Sequence, residues 1–375
     1  MTKQRVVVIG AGMAGASIAA ELAAHAQVTL LEMESQPGYH TTGRSAALYA
    51  ASYGSPAVRA ITRASRAFFD APDAGFVETP LLQPRGAMFI ARADQHAALQ
   101  ALQAELADEP AVVPLDVADA LRQCVLLRSD YMAGALLDRS AMDIDVHALH
   151  QGYLKQLKAR GGEAVMRAEV RALGRADGLW RVDTRAGHWA ADVVVNAAGA
   201  WADVVGEMAG ASPIGLVPKR RTAMTVPVPD GLDVHASPAV IDCEEQFYLR
   251  PEAGKLLISP ADETPSPPCD AQPEELDMAI AVDRIETAFE LQVRRIDSKW
   301  AGLRSFVADK SPVVGFDPEV PAFFWFAGQG GYGIQMAPAL ARIGAAWALG
   351  QDTPADVLAQ GLDVAAIQPE RLRAG

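Results

Sequence analysis

Three glycines near the start of the chain have the spacing that lets a backbone bind a pyrophosphate. Val6 to Ile9 is an apolar run, and Gly10, Gly12 and Gly15 follow it. In a strand–turn–helix unit the first glycine permits a tight turn. The second lets the backbone approach the phosphates, and the third lets the helix pack closely on the strand. The helix N-terminus adds free N–H groups and a positive dipole end. The pattern therefore predicts a dinucleotide site.

Glu32 strengthens this prediction. It ends a second apolar run, Val28–Leu31, and a carboxylate there can accept hydrogen bonds from a ribose 2′-OH. It would repel a 2′-phosphate, which favours FAD or NAD over NADP. The alternative is a secretory signal, because Lys3 and Arg5 precede the apolar stretch. The three spaced glycines argue against it, since an apolar signal core does not need them.

A second glycine loop lies near the other end of the chain. Ala322–Ala327 is apolar and predicts a buried strand. Gly328–Gly333 then holds four glycines in six residues, and Ile334–Leu349 is predicted to be a helix. A helix N-terminus beside a flavin ring would stabilise the anionic reduced flavin. The alternative is a tight turn that only packs. Between the two loops, the apolar run Asp192–Asn196 and Gly199 predict another buried parallel strand with close backbone approach.

Arginines and tyrosines supply the candidate substrate groups. Arg220, Arg221 and Arg304 are candidate anion binders, and Arg304 has apolar neighbours on both sides. A bidentate contact to a carboxylate is the best use of such a side chain, and a structural ion pair is the alternative. Tyr53 and Tyr248 could donate hydrogen bonds to the same carboxylate or serve only in packing.

Composition excludes several functional classes. The net charge of −13 argues against nucleic acid and anionic membranes as partners. Three cysteines without a CxxC pair suit a reducing compartment and argue against zinc or iron–sulfur sites. Asp143, Asp145, His147 and His150 crowd one helix start; we interpret Asp145 as the helix cap and expect no metal. No apolar run reaches the length of a membrane span. No targeting segment is recognisable, and on that ground we expect a cytoplasmic protein.

The chain between the two glycine loops indicates that the molecule has a second part. Ser35–Tyr53 is a long polar loop, and Ser55-Pro56 has the features of a helix start. From Leu216 onward, strand-like segments alternate with turns, including a hairpin turn at Pro251–Gly254, and predict an antiparallel sheet. Pro260–Pro273 carries five prolines and predicts a surface loop.

Five motifs carry a family resemblance over essentially the whole chain. They are the N-terminal glycine motif, Thr42–Ala46, Val195–Trp201, Trp300–Arg304 and Gln329–Gln335. In this order they resemble the D-amino-acid oxidase superfamily, and within it bacterial D-arginine dehydrogenases most. The resemblance implies an α/β fold with a Rossmann-like, glutathione-reductase-like FAD-binding domain and an inserted mixed or antiparallel-sheet substrate domain. It places the first domain at 1–50, 141–212 and 306–375, and the second at 51–140 and 213–305.

The resemblance also implies a chemistry: non-covalent FAD and oxidation of a D-amino acid by hydride transfer from Cα to flavin N5. The imino acid product is then hydrolysed to a 2-oxo acid and ammonia. Arg221 and Arg304 would clamp the carboxylate with help from Tyr53 and Tyr248, and the carbonyl of Gly331 would hold the amine. Ser45–Pro56 would be a mobile lid. The implied cofactor-binding residues are Gly10, Gly12, Gly15, Glu32, Thr42, Gly43, Arg44, Ser45, Val170 (through its backbone to adenine), Ala198, Gly199, Gly330, Gly331, Tyr332, Gly333, Ile334 and Gln335.

Departures from the D-arginine enzymes bear on the substrate. Ala87 stands where they have a glutamate for the guanidinium, Leu48 and Ala50 replace a histidine and a threonine, and Ala239 replaces a methionine. With Ile241, these residues predict an apolar, roomier pocket that selects large hydrophobic D-amino acids, because a buried cation without its carboxylate is costly.

Several alternatives remain open at this stage. An oxidase that passes electrons to oxygen would share these residues, and so would a secondary-amine oxidoreductase acting on sarcosine- or proline-like substrates. A flavin-fold binding protein without turnover is a third, and the joint presence of the two tyrosines and two arginines argues against it. The electron acceptor, a quinone or another compound, is unknown. A monomer or homodimer fits equally, and a peripheral position at the inner membrane is an alternative to the cytoplasm.

Overall fold

The N-terminal glycine motif connects a strand and a helix of a six-stranded sheet. The structure is a computed structural model that describes residues 3–373. All neighbouring strands are parallel except at one edge, where Val313–Phe316 is antiparallel. The central strands are mostly apolar, as expected for strands covered on both faces. The spatial order is Val313–Phe316, Phe323–Ala327, Val193–Asn196, Arg5–Ile9, Gln27–Leu31 and Glu163–Val165.

Both faces of this sheet are covered. Alternate residues of each strand point to opposite faces, so Val6 and Val8 join one core while Val7 and Ile9 join the other. The first core is closed by helices Met13–Leu22, Pro56–Asp70, Val146–Ala159 and Gly333–Ala348. The second is closed by helix Ala202–Met208 and by an antiparallel sheet of Val170–Ala176, Leu179–Thr184 and His188–Ala191.

A nine-stranded mixed sheet forms the second part of the molecule. Its only parallel pair among the described residues is Ala87–Ala91 with Ala239–Asp242. Helices Glu275–Ala288 and Val117–Gln123 cover one face of the sheet. The order is Thr264–Pro265, Val217–Pro227, Lys255–Ser259, Tyr248–Glu252, Ala239–Asp242, Ala87–Ala91, Gly134–Asp138 and Val112–Leu115, and Ser298–Phe306 also pairs with Val217–Pro227.

The remaining elements are short. A small sheet joins Leu48–Tyr49, Met142–Ile144 and Leu82–Pro84. Helix His96–Glu105 packs beside Ala87–Ala91, and Ala355–Leu358 forms a last short helix. None of the helices described is long and apolar enough to cross a membrane. The 3-10 turns are Thr42–Arg44, Ala93–Gln95, Gly199–Trp201, Val364–Ile367 and Pro369–Leu372.

The predicted fold class is confirmed: a Rossmann-like α/β part carries a second, mixed-sheet part. Local predictions also hold, because the Ser55 hydroxyl accepts the N–H of Val58 and Asp145 accepts that of Ala148, as helix caps do. Strand Ser298–Phe306 was not predicted as a strand. The sequence positions of the domain boundaries stay a prediction.

Candidate active site

A cavity of about 330 Å³ is lined by residues from both parts of the molecule. Its walls come from the two glycine loops, the segment after Gly38, the turn after strand Val193–Asn196, and strands Val217–Pro227 and Ser298–Phe306. Thus the elements that carry the five sequence motifs meet around one space. Pockets at the carboxyl ends of parallel strands are the usual ligand sites of open α/β sheets.

The N-terminal motif forms one wall. Gly10 has a φ of +98°, and a Cβ there would lie 2.5 Å from a carbonyl oxygen, so this turn requires glycine. Gly12 and Met13 line the cavity at the start of the helix. The buried carboxylate of Glu32 also lines it and accepts the N–H of Ala11 at 2.7 Å. Glu32 therefore lies beside the turn that is predicted to bind the phosphates, where the predicted ribose contact requires it.

The segment around Thr42 forms the second wall. The Thr42 hydroxyl accepts the N–H of Met13 at 2.8 Å, and the Ser45 hydroxyl lines the cavity nearby. Arg44 also lines it, but its guanidinium donates to the carbonyls of Ala271 and Ala301 and pairs with an aspartate. Its side chain ties this segment to strand Ser298–Phe306. That Arg44 binds the cofactor stays a prediction.

The C-terminal glycine loop forms the third wall. Gly330, Gly331, Gly333 and Ile334 line the cavity where helix Gly333–Ala348 begins. A Cβ on Gly331 would lie 2.8 Å from a terminal nitrogen of Arg304 and 3.0 Å from its Cζ. The absence of a side chain at Gly331 is therefore what lets the arginine lie against this loop.

Buried polar atoms in the cavity wall lack partners. His40 Nδ1, Ser305 Oγ and Gln329 Nε2 have no hydrogen bond among residues 3–373, and all three residues line the cavity. An unpaired buried polar group costs about 1–3 kcal/mol, so a polar ligand here would satisfy them. Together with the glycine walls, these atoms fit the dinucleotide predicted from the sequence. From the sequence, only their positions could have indicated Ser305 and Gln329 as site residues: Ser305 follows Arg304, and Gln329 lies inside the glycine loop.

Four of the predicted cofactor-binding residues do not line the cavity. Gly15 and Gly43 are packing glycines, since a Cβ on either would lie less than 3 Å from a backbone oxygen. Tyr332 is buried against the ring of Tyr53. Gln335 binds the chain instead: its Oε1 accepts the N–H of Ala50 at 3.0 Å. The other thirteen, including Val170, Ala198 and Gly199, do line it.

Adjacent arginines on strand Val217–Pro227 have different partners. Arg220 pairs with Asp277 at 2.8 Å and with Glu274. It does not line the cavity, so for this residue the structural ion pair is correct. Arg221 does line the cavity; its Nε donates to the carbonyl of Asp262 at 2.9 Å. The alternation of side chains along a strand separates the two.

Arg304 is a cation of the cavity wall whose side chain has no partner within the described residues. Strand Ser298–Phe306 pairs antiparallel with Val217–Pro227, and this register brings Arg304 and Arg221 to one wall. Within residues 3–373, the side chain of Arg304 makes no hydrogen bond or ion pair, whereas that of Arg221 also lies 3.4 Å from Glu263. Burial and the charge of Arg304 together lower the pKa of Arg221. An anion between the guanidinium groups would relieve their repulsion.

Of the two predicted tyrosines, Tyr248 lines the cavity and Tyr53 does not. Tyr53 packs edge-to-face on Tyr332 with the ring centroids 4.9 Å apart. Burial raises the pKa of Tyr53, although the charges of Arg304 and Arg221 oppose the rise. Its hydroxyl therefore stays protonated at neutral pH and can donate a hydrogen bond.

The predicted side-chain pocket is a packed cluster in this structure. None of Leu48, Ala50, Ala87, Ala239 and Ile241 lines the cavity. Ala50 and Ala87 pack with Ala141 in a small apolar cluster that Tyr53 and Ile241 border, and Ala239 is the register partner of Ala87. Leu48 is half-buried and pairs with Asp143. These residues are apolar, as predicted, but they pack against one another and do not line the cavity.

Known proteins resemble the chain along most of its length. A model of the FAD dependent oxidoreductase (DAO) family matches residues 5–347. Mitochondrial dimethylglycine dehydrogenase of Mus musculus is 27% identical over 252 residues, which is 62% of this chain and 29% of that protein. FAD-dependent oxidoreductase domain-containing protein 1 of Xenopus laevis is 29% identical over 169 residues, 40% of this chain and 33% of that one. The chain thus spans about a third of these relatives or less.

Solved structures share the fold. Glycine oxidase from Geobacillus kaustophilus superposes with a TM-score of 0.80 at 23% identity, over 93% of this chain and 96% of that one. L-proline dehydrogenase from P.horikoshii gives 0.83 at 21% identity, over 99% and 98%. Since the family model covers nearly all of the described chain and the cavity walls fit the cofactor, the protein belongs to the DAO family of FAD dependent oxidoreductases, with FAD as its cofactor.

Proposed function

We propose that the protein is an FAD-dependent dehydrogenase of D-amino acids with apolar side chains. The observation that carries the proposal is Arg304, a guanidinium without a protein partner in the described chain, beside Arg221 and against the C-terminal glycine loop. Two convergent arginines in a largely apolar space are a site for a carboxylate. The substrate would thus carry its carboxylate next to the loop that faces the flavin.

The residues that would hold FAD follow from the cavity walls. The turn at Gly10–Met13 would face the pyrophosphate, Glu32 the ribose, and Ala168–Val170 the adenine side. The partnerless donors of Ser305 and Gln329 would pair with polar atoms of the cofactor. Bound FAD supplies an acceptor for the hydride that leaves the substrate Cα.

The protein's own contribution is orientation. Arg304 and Arg221 would bind the carboxylate, and the hydroxyls of Tyr53 and Tyr248 would donate hydrogen bonds to it. The Gly331 carbonyl would accept a hydrogen bond from the amine. As the C–H bond breaks, the nitrogen lone pair forms the C=N bond of an imino acid. Water then adds and ammonia leaves, giving a 2-oxo acid. Fixing these groups accounts for the catalytic effect without a strong base at Cα.

The side-chain preference rests on the cluster around Ala87. Its members are apolar, and the nearest acid across the sheet is Asp138, the register partner of Ala87. Asp138 is buried and already accepts hydrogen bonds from Ser52 at 2.6 Å and from both the N–H and the hydroxyl of Ser140. It has little capacity left for a substrate cation, which favours apolar side chains over that of arginine.

A secondary-amine oxidoreductase is the second candidate. Relatives named for dimethylglycine and proline share the family or the fold, and the residues of the side-chain cluster do not line the cavity. A small or cyclic substrate needs less room than a large apolar side chain. The carboxylate site would be the same, so the substrate alone distinguishes the two.

Anaerobic bleaching of the flavin absorbance tests both. The holoenzyme is mixed with D- and L-forms of phenylalanine, leucine, methionine and arginine, and with sarcosine and proline. The proposal expects fast bleaching by the apolar D-amino acids and slow bleaching by D-arginine. Fast bleaching by sarcosine or proline alone would select the second candidate. Equal rates for D-arginine and D-phenylalanine would refute the apolar preference. Peroxide formation in air without another acceptor would identify an oxidase.

A further inference from the structure

An acidic pair in the proline-rich segment contacts the arginines of strand Val217–Pro227. The segment predicted as a surface loop places Asp262 and Glu263 beside Arg221, directly after Ala261. Ala261 has a φ of +51°, a conformation that residues with a side chain seldom adopt. Such a backbone conformation persists only where neighbouring contacts hold it, and here the next two residues make hydrogen bonds to strand Val217–Pro227.

Asp262 fastens the segment to the strand. Its carboxylate accepts the N–H of Thr222 at 2.6 Å and the Thr222 hydroxyl at 3.0 Å, while its carbonyl accepts Nε of Arg221 at 2.9 Å. The burial of Asp262 raises its pKa, and the hydrogen bonds from Thr222 oppose the rise. The position of Glu263 is therefore fixed relative to Arg221 by three hydrogen bonds to its neighbour.

Glu263 contacts three cations. Its carboxylate lies 2.7 Å from Lys219 Nζ, 3.4 Å from a terminal nitrogen of Arg221 and 3.6 Å from Lys310 Nζ. Burial opposes its ionisation, but the hydrogen bond from Lys219 and the nearby positive charges outweigh burial and lower the pKa of Glu263. Glu263 and Asp262 together bring two carboxylates to these three cations, which leaves a net positive charge around Arg221 that still attracts an anion.

The contacts leave one end of the Arg221 fork open. Nε donates to the carbonyl of Asp262 and one terminal nitrogen lies at Glu263, whereas the other terminal nitrogen, Nη1, has no partner among residues 3–373. Arg221 is 8% exposed and lines the cavity. A guanidinium is planar, so fixing two of its nitrogens also fixes the direction of the third.

We infer that Glu263 is a positioning residue for the carboxylate site: it sets the direction in which Arg221 presents its free N–H groups to the substrate. The inference rests on the proposed function, because it assumes that the bound anion is the substrate carboxylate. Sequence alone did not indicate Glu263, since it lies in a segment without regular structure and 42 positions from Arg221.

The test compares Glu263→Ala and Glu263→Gln in the holoenzyme. Benzoate is the carboxylate probe, with its Kd taken from the change in the flavin spectrum, and the best D-amino acid of the panel gives KM and the limiting rate of flavin reduction. We expect Glu263→Ala to raise both Kd and KM about tenfold, as the loss of one hydrogen bond to a charged group does, with the limiting rate within about twofold. Glu263→Gln keeps an acceptor oxygen and should recover part of the loss.

A matched control is Glu274→Gln. It removes a carboxylate from Arg220, the next residue on the opposite face, without touching Arg221. The control should leave Kd and KM unchanged. Unchanged values in Glu263→Ala, or tighter benzoate binding in both Glu263 variants, would overturn the inference. If the alanine variant does not fold, a Kd for Glu263→Gln equal to that of the wild type overturns it as well. A wild-type protein that binds no carboxylate refutes the proposed function itself, and the inference with it.

Discussion

Replacing Gly331 by alanine tests the central geometry of the site. The new Cβ would lie 2.8 Å from a terminal nitrogen of Arg304 and 3.0 Å from its Cζ. Gly331 has no left-handed φ, so alanine imposes no backbone strain there. The clash falls on the end of a flexible side chain, which can retreat. We therefore expect a folded protein in which Arg304 is displaced.

The size of the displacement follows from the contact. Ordinary van der Waals contact begins at 3.4 Å, so the guanidinium must retreat by about 0.6 Å from a Cβ at 2.8 Å. A misplacement of about 1 Å in a positioning group costs about 100-fold in rate. For Gly331→Ala we expect kcat/KM for the preferred D-amino acid to fall about tenfold, and the Kd for benzoate to rise by a similar factor.

The assay measures kcat/KM for the preferred D-amino acid, the Kd for benzoate and the FAD content of the purified variant. Gly174→Ala is the control, because a Cβ at Gly174 meets no atom within 4 Å and its strand is exposed. Wild-type kcat/KM and Kd in Gly331→Ala, with FAD retained, would refute the view that Arg304 must lie against this glycine to bind the substrate. Loss of FAD alone would mean that Gly331 makes room for the cofactor rather than for the arginine.

Three further predictions follow from single contacts. Arg304→Met should lower kcat/KM by about 100-fold or more in steady-state assays, because it removes the guanidinium that has no partner within the described residues. Arg220→Met should leave KM unchanged and lower the free energy of unfolding, because Arg220 pairs with Asp277 outside the cavity. Ser52→Ala should lower the free energy of unfolding in urea by about 1–2 kcal/mol, since it deprives the buried Asp138 of a hydrogen bond at 2.6 Å. Burial lowers the pKa of His150 below 6.5, so the unfolded chain takes up the proton first and stability should fall as the pH drops below 6.5. In His150→Gln that part of the pH dependence, measured by urea unfolding at pH 8 and pH 5.5, should disappear.

The sequence by itself determined the nucleotide part of the molecule. The turn at Gly10, the helix after it and Glu32 are close in sequence, and their conformations depend on local backbone freedom and on a run of apolar residues. The same holds for the C-terminal glycine loop and for helix caps such as Ser55 and Asp145. Such features are predictable because the physical cause lies within a few residues.

Only the tertiary structure decided which charged groups line the cavity. Arg220 and Arg221 are neighbours in sequence, and strand alternation directs one to Asp277 and the other to the cavity. The place of Arg304 in the cavity wall depends on the pairing of strands Val217–Pro227 and Ser298–Phe306, which brings together residues far apart in the chain. The contact of Glu263 with Arg221 depends on the same long-range packing. No local pattern encodes these partners, because they are set by register and by which loops meet around the cavity.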